Sequence, residues 1–252
     1  MRLLILGKSP SWPDAGGACS GYLVQEDGFS LLLDCGSGVL GKLRAELDYL
    51  ALDAVLISHL HADHIIDLVP FSYALGLSPR QGQTPRRPPL HAPPGARARF
   101  RELSGCWKNE RLIEDAFALS EYDPSAGAEL GPFSVRFCEV PHYTQTFAVE
   151  LGAGGRRLTF GADCGPNEAL VEFAQGTDLL IAEASLTEPD TDDPRGHMTP
   201  AEAGEMGRLA NAGRLMVSHY TDELDRDWVR SEATRGYGGE VILAETGAEH
   251  II

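Results

Sequence analysis

Apolar residues fall in short runs along this chain, and the spacing within each run sets the element it predicts. "RLLILG" and the two halves of "GYLVQEDGFSLLLDCG" read as strands, the latter pair joined by a turn at Glu26-Asp27-Gly28. "SGVLGKLRAELDYL" spaces its apolar residues near the helical period and predicts a helix. "LDAVLIS" is nearly continuous in apolar residues, as buried strands are. "HIIDLVPFSYALGL" predicts one helix starting at a histidine cluster. "SPRQGQTPRRPP" is a loop rich in Pro and Arg, followed by a short strand, "LHA", and a helix from about Gly95.

The second half repeats this style without repeating the sequence. "FSVRFCEV", "TFAVELG" and "RRLTFGAD" predict consecutive antiparallel strands, the last two joined through "AGG". "NEALVEFAQG" predicts a short helix with Asn167 at its N-cap and Gly176 past its end. "DLLIAEAS" is a strand. "TPAEAGEMGRLANAG" is a helix capped by Thr199 with Pro200 at its first position. "RLMVSHY", "DELDRDWVRSEATRGY" and "EVILAET" then predict strand, helix and strand. Strands followed by strands alternating with helices, in both halves, predict an α/β (α+β) fold of two sheets packed face to face with helices outside. No linker divides the chain, so residues 1–252 are expected to form one domain.

Composition narrows the partners. The formal net charge is −16, which argues against broad binding to nucleic acid. No apolar run approaches the roughly 20 residues that span a bilayer. Proline and glycine interrupt the N-terminal apolar run before a signal-peptide core could form, leaving the cytoplasm as the expected compartment. The five cysteines contain no C-x-x-C pair, so neither a disulfide framework nor a structural zinc knuckle is expected. The charge is uneven: the segment from Gly76 to Arg111 is rich in arginine. It reads either as a solvated loop or as a positive patch beside a site for an anion.

One stretch carries chemistry. "LISHLHADHIIDL" sets His59, His61, Asp63 and His64 within six positions, directly after an apolar strand. At a strand end the backbone turns, so side chains one or two apart can converge. His59 and His61 would share a face, and Asp63 and His64 would aim at a neighbouring point. Two pairs of N and O ligands suit two adjacent zinc-like ions. Further ligands are needed, and His142, Asp163 and His219 each follow an apolar strand.

This set resembles the metallo-β-lactamase fold superfamily over nearly the whole chain, from "LLILG" to "ILAET". The resemblance implies an αββα sandwich of two mixed β-sheets with a dinuclear site at one edge. It implies that His59, His61 and His142 hold one metal, that Asp63, His64 and His219 hold the other, and that Asp163 bridges them. A hydroxide between the ions would be the nucleophile, since metal binding lowers the pKa of water from 15.7 to about 7. Asp34 matches an aspartate that orients a ligand histidine in that family. Zinc is the expected metal, with manganese or iron also suited to mixed His and Asp ligands. The resemblance leaves a homodimer open.

Further residues select a branch. His64 and Asp163 depart from the common zinc β-lactamases, which lack the second histidine of the first cluster and use a later cysteine; Cys164 is expected to point to the other face. His61 departs from the redox di-iron branch, which has Glu there. Glyoxalase-type thioesterases add a C-terminal substrate domain, for which the residues after His219 leave no room. Glu183 in "IAEAS" and His197 in "RGHMTPAEAG" resemble the phosphodiesterase branch, which includes the tRNA 3′-processing endonucleases. There such a histidine contacts the scissile phosphate and protonates the departing oxygen, and the glutamate orients it. Asp63, His197 and Glu183 are thus the expected catalytic set.

Two features depart from the tRNA-processing pattern: Ala182 stands where a histidine is usual, and no long Gly/Pro arm is present. "GKSPSWPDAGGACSGYLV", "DCGSGVLGKL", "SHLHADH" and "GHMTPAEAG" instead resemble the small bacterial cyclic-nucleotide phosphodiesterases. The expected substrate is a small phosphodiester, a 3′,5′-cyclic nucleotide such as cAMP. Arg80, Arg86 or Arg87 would screen the phosphate if their loop folds inward, and a base would stack on Tyr143 or Trp107. A tRNA 3′-endonuclease, a catalytically idle metal-binding regulator and a lactone or thioester hydrolase are the alternatives.

Overall fold

The structure, a computed structural model, describes residues 1–78, 87–191 and 193–252. The first sheet contains β1 (Arg2–Gly7), β2 (Gly21–Glu26), β3 (Phe29–Leu33), β4 (Ala54–Leu56), β5 (Pro89–Ala92), β6 (Ala118–Glu121) and β14 (Glu249–Ile251), in the order β14-β1-β2-β3-β4-β5-β6. The second contains β7 (Ala128–Leu130), β8 (Phe133–Val140), β9 (Thr146–Ala153), β10 (Arg156–Phe160), β11 (Leu179–Glu183), β12 (Leu215–Ser218) and β13 (Val241–Leu243), in the order β13-β12-β11-β10-β9-β8-β7. Each sheet is half antiparallel and half parallel. β14 to β3 pair antiparallel and β3 to β6 parallel. β7 to β10 pair antiparallel and β10 to β13 parallel.

Alternation along the strands explains the layering. On β8, Phe133, Val135 and Phe137 point into the space between the sheets, while Ser134 and Arg136 point out. Facing them from the first sheet are Leu3, Ile5, Tyr22, Leu31 and Leu33. This inner layer excludes water, which is the main favourable term in holding the sheets together. The outer face of the first sheet is covered by α1 (Val39–Glu46), α3 (Leu68–Leu77), α4 (Ala96–Gly105) and α5 (Leu112–Ala116). The second is covered by α6 (Glu168–Phe173), α7 (Pro200–Leu209) and α8 (Arg226–Tyr237). The architecture is therefore the expected αββα sandwich.

Local signals act where they were read. Asp27 and Gly28 both take left-handed backbone, as a two-residue hairpin turn requires. The Asn167 side chain accepts from the Leu170 amide, and Thr199 forms a full capping box with Glu202. The helix expected from His64 to Leu77 is instead two, α2 (Ala62–Ile65) and α3. Pro70 has no N–H to give the Ile66 carbonyl, so one helix cannot run through that turn. Asp67 uses the break: its amide donates to the Cys35 carbonyl and its carboxylate accepts from Leu40 at the start of α1. α8 begins later than the pattern suggested, at the Asp225 cap. Short β6, β7, β14 and α5 left no readable pattern.

Six strands end at the same edge. The C-terminal ends of β3, β4, β8, β10, β11 and β12 lead into Asp34, the His59–His64 segment, His142, Asp163, Glu183 and His219. Asp34, Ala162 and His219 have positive φ, a conformation that costs a non-glycine residue roughly 1–3 kcal/mol. Such strain persists only where the surroundings over-determine it.

The backbone contact between α7 and α8 is tight. A Cβ on Gly204 would lie 2.2 Å from the Ala233 carbonyl oxygen, and one on Gly236 would lie 2.1 Å from that of Ala201. Gly204→Ala is therefore expected to lower unfolding free energy by about 1–3 kcal/mol, read as a fall in the urea midpoint at unchanged slope. An unchanged midpoint would contradict this packing.

Candidate metal centre

The site is built outward from one buried carboxylate. Asp34 accepts the Ser58 amide at 2.8 Å on Oδ1, and on Oδ2 it accepts the Ser58 hydroxyl at 2.8 Å and His64 Nδ1 at 2.7 Å. Since the Ser58 hydrogen goes to Asp34, Ser58 Oγ accepts from His59 Nδ1 at 3.0 Å. Each histidine thus carries a proton on Nδ1 and turns Nε2 toward the centre. Asp34 orients a histidine in each half of the cluster, one directly and one through Ser58. Ser58 was not foreseen; its only sequence signal is its place immediately before His59.

The same logic sets His142. Its Nδ1 lies 2.7 Å from the Gly196 carbonyl, which only accepts, so Nδ1 holds the proton. Its Nε2 faces His61 Nδ1 at 3.0 Å. Asp163 Oδ2 lies 3.3 Å from His64 Nε2, 3.2 Å from His219 Nε2 and 3.8 Å from His59 Nε2. Asp63 Oδ2 lies 3.2 Å from His219 Nε2 and 3.5 Å from His64 Nε2. Two overlapping donor sets result, each with its atoms within 4.8 Å of one another: His59, His61, His142 and Asp163, and Asp63, His64, Asp163 and His219. All seven side chains expected as ligands thus gather in these sets. Cys164 is buried in the outer layer of the second sheet, away from the donors.

Protonation follows burial and charge. Burial pushes His59 well below the ordinary imidazole range and His142 down to about 4; His61 is lowered for the same reason. These three are neutral near pH 7, as metal ligands must be. Burial raises Asp163 and Asp63, but the neighbouring histidines outweigh it and hold both ionised. His64 is the converse: burial disfavours its charge, yet Asp163 and Asp34 overcome this and raise it well above the usual value. Without an ion, a proton on His64 supplies the positive charge that the carboxylates demand.

The set fits a metal. Nε2 of His59 and Nε2 of His64 are buried with no hydrogen-bond partner. Unpaired buried polar atoms are costly, and these lie among ionised carboxylates. Mixed imidazole and carboxylate donors suit zinc, manganese or iron.

A third group adjoins both sets. His197 Nδ1 lies 2.6 Å from Glu183 Oε1, and Glu183 Oε2 accepts from the amide and hydroxyl of Ser185 at 2.9 and 3.0 Å. The His197 ring stacks near-parallel to His219, centroids 5.9 Å apart. Burial lowers His197, but the Glu183 hydrogen bond and charge more than offset it and raise the ring above the ordinary imidazole value, which favours its protonated form.

Beside His61 opens a cavity of about 590 Å³, lined by Leu60, Pro93, Pro94, Arg99, Tyr143 and Gln145 among others. Tyr143 is half exposed, with its ring 5.2 Å from that of His142 and its hydroxyl donating to Asp190. Arg87 does not reach this cavity. Its guanidinium donates to the carbonyls of Glu114 and Phe117, at the opposite end of β5 from the Pro93-Pro94 wall. It is held there by two acceptors and is not available to a substrate at the donor sets. Arg80 and Arg86 lie outside the described residues. Trp107, in the turn after α4, is not among the residues that line the cavity.

Asp34→Asn keeps shape and tolerates the left-handed backbone, but its single oxygen cannot accept from the Ser58 amide as well as from the Ser58 hydroxyl and His64 Nδ1. It is expected to weaken metal affinity about 10–100-fold, measured by competition with a chromogenic chelator. Unchanged affinity would show that Asp34 does not orient the donors.

The model of the beta-lactamase superfamily domain matches residues 30–220. The probable metallo-hydrolase YhfI of Bacillus subtilis is 30% identical over 247 residues, covering 98% of each chain. The crystal structure of YhfI, a metallo-beta-lactamase fold protein, is similar with a TM-score of 0.89 over 99% of this chain and 98% of that one. Ribonuclease Z of Haloarcula marismortui is 27% identical over 302 residues, covering 99% of this chain and 96% of that protein. Sequence, layer order and donor sets agree, and the chain belongs to the beta-lactamase superfamily, among its metallo-hydrolases.

Proposed function

We propose that the protein is a dinuclear metallophosphodiesterase acting on a small phosphodiester, a 3′,5′-cyclic nucleotide such as cAMP. The observation that carries this reading is the His197–Glu183 pair beside both donor sets: Glu183, His197 and His219 offer donor atoms within 4.8 Å of one another. An alkoxide departing from phosphorus calls for a held acid, and His197 is placed to be one.

His59, His61 and His142 would hold one ion, Asp63, His64 and His219 the other, with Asp163 shared. Two bound divalent ions, zinc by preference, supply an activated water and neutralise the phosphate. Asp34 and Ser58 keep the His59 and His64 lone pairs aimed inward. Glu183 holds the His197 Nδ1 proton, leaving the Nε2 proton for the departing 3′-oxygen as its bond to phosphorus breaks. The Asp63 carboxylate would belong to the reacting centre through its place in the second set. Tyr143 offers an exposed ring for the base, next to His142 and His197.

Size supports a small substrate. The cavity of about 590 Å³ lies in the range of small-molecule sites. The ribonuclease Z alignment has 302 positions against 252 residues here, so at least 50 positions of that protein have no counterpart in this chain. A net charge of −16 disfavours a large RNA. No helix among the described residues is long and apolar enough to cross a membrane. The full-length similarity to ribonuclease Z keeps tRNA 3′-processing as the second reading.

The metal-loaded protein is expected to hydrolyse cAMP and to leave a pre-tRNA uncut. The reverse result selects the second reading. Inactivity on both, and on bis(p-nitrophenyl) phosphate, points to an idle metal-binding protein. His197→Ala is expected to lower kcat by about 10²–10⁴ with metal content unchanged; full activity in that variant would remove the acid role. Tyr143→Ala is expected to raise KM with little change in kcat, and an unaltered KM would argue against base stacking.

A further inference from the structure

The N-terminal stretch "GKSPSWPDAGG" contains no donor to either set, yet it reaches the centre by another route. Lys8 is 7% exposed. Its ammonium lies 2.5 Å from Asp14 Oδ2, donates to the Tyr220 carbonyl at 2.7 Å, and sits 3.8 Å from the Tyr220 ring centroid. The other Asp14 oxygen accepts the Asp222 amide at 3.0 Å. The Asp14 amide in turn donates to Ser9 Oγ at 2.9 Å, closing the loop on itself. One ion pair therefore grips the backbone on both sides of Thr221.

That backbone follows His219, whose φ is +53°. A left-handed histidine at a strand end is held only by what surrounds it. The ladder of β12 ends at Ser218, so sheet bonding does not fix the turn beyond it. Burying an ion pair is costly, and an apolar contact would serve cohesion as well. A cation paired with a carboxylate is needed here for direction: the Tyr220 carbonyl requires a donor and the Asp222 amide an acceptor at fixed points.

We propose that Lys8 and Asp14 are positioning residues for His219, acting through the Tyr220–Asp222 backbone, and so govern the donor set of Asp63, His64, Asp163 and His219. The other set, His59, His61, His142 and Asp163, lacks His219 and shares only Asp163 with the first, so it is affected less. The inference rests on the two-ion reading given above.

The test is calorimetric titration of the metal-free full chain with Zn²⁺, for wild type, Lys8→Met and Asp14→Asn. Wild type takes up two ions per chain. Lys8→Met weakens one of the two binding steps by about tenfold to a hundredfold and leaves the other within about twofold. Asp14→Asn keeps an acceptor for the Asp222 amide but loses the ion pair, so it weakens the same step by less. Loading with Co²⁺ reads the same difference, because the visible absorption of only one of the two ions changes. Two unchanged affinities overturn the inference, and so does an equal loss at both steps, which marks general loosening. If Lys8→Met does not fold, Asp14→Asn decides on the same criteria. A wild-type stoichiometry of one removes both the two-ion reading and this inference; a stoichiometry of two with unaltered variants removes this inference alone.

Discussion

Everything at the strand ends answers to one electrostatic constraint: imidazole lone pairs and two ionised carboxylates face one another in a place with little water. Asp163 stands within hydrogen-bonding or ion-pair reach of His59, His64 and His219 at once. A cluster of acceptors without a cation is unfavourable in a low-dielectric interior. In the absence of an ion, a proton on His64 relieves part of it. The outer bonds from Asp34, Ser58 and the Gly196 carbonyl then remove the alternative tautomers. They leave Nε2 of His59 and Nε2 of His64 facing inward without a hydrogen-bond partner.

The backbone accepts strain to meet that constraint. Left-handed residues at Asp34, Ala162 and His219 turn the chain sharply at the ends of β3, β10 and β12. Each turn converts a strand direction into a side-chain direction toward the centre. The close approach of Gly36 to the Asp63 carbonyl, where a Cβ would sit at 1.8 Å, belongs to the same economy of space. It lets the loop after β3 lie against the start of α2, so that Asp34 reaches His64.

Much of this could be read from the residues. The αββα layers follow from apolar periodicity, and the donors were visible because ligand-type residues followed apolar strands. What escaped had physical reasons. The break between α2 and α3 depends on a missing N–H at Pro70, which an apolar pattern does not register. Ser58 bears no mark of its own beside four stronger residues. Arg87 belongs to a basic segment, but two carbonyls at the far end of β5 hold it there, a tertiary fact without local trace. The tie between Lys8 and Tyr220 joins residues 212 apart.

The two sheets contribute evenly to each donor set. His59 and His61 come from the first layer and His142 and Asp163 from the second; Asp63 and His64 come from the first, Asp163 and His219 from the second. Neither layer on its own could seat an ion. A bound cation is therefore also a rivet across the seam, at the end where the greasy filling between the layers gives way to polar groups. Chelation should unfasten that end first, while the opposite end stays shut.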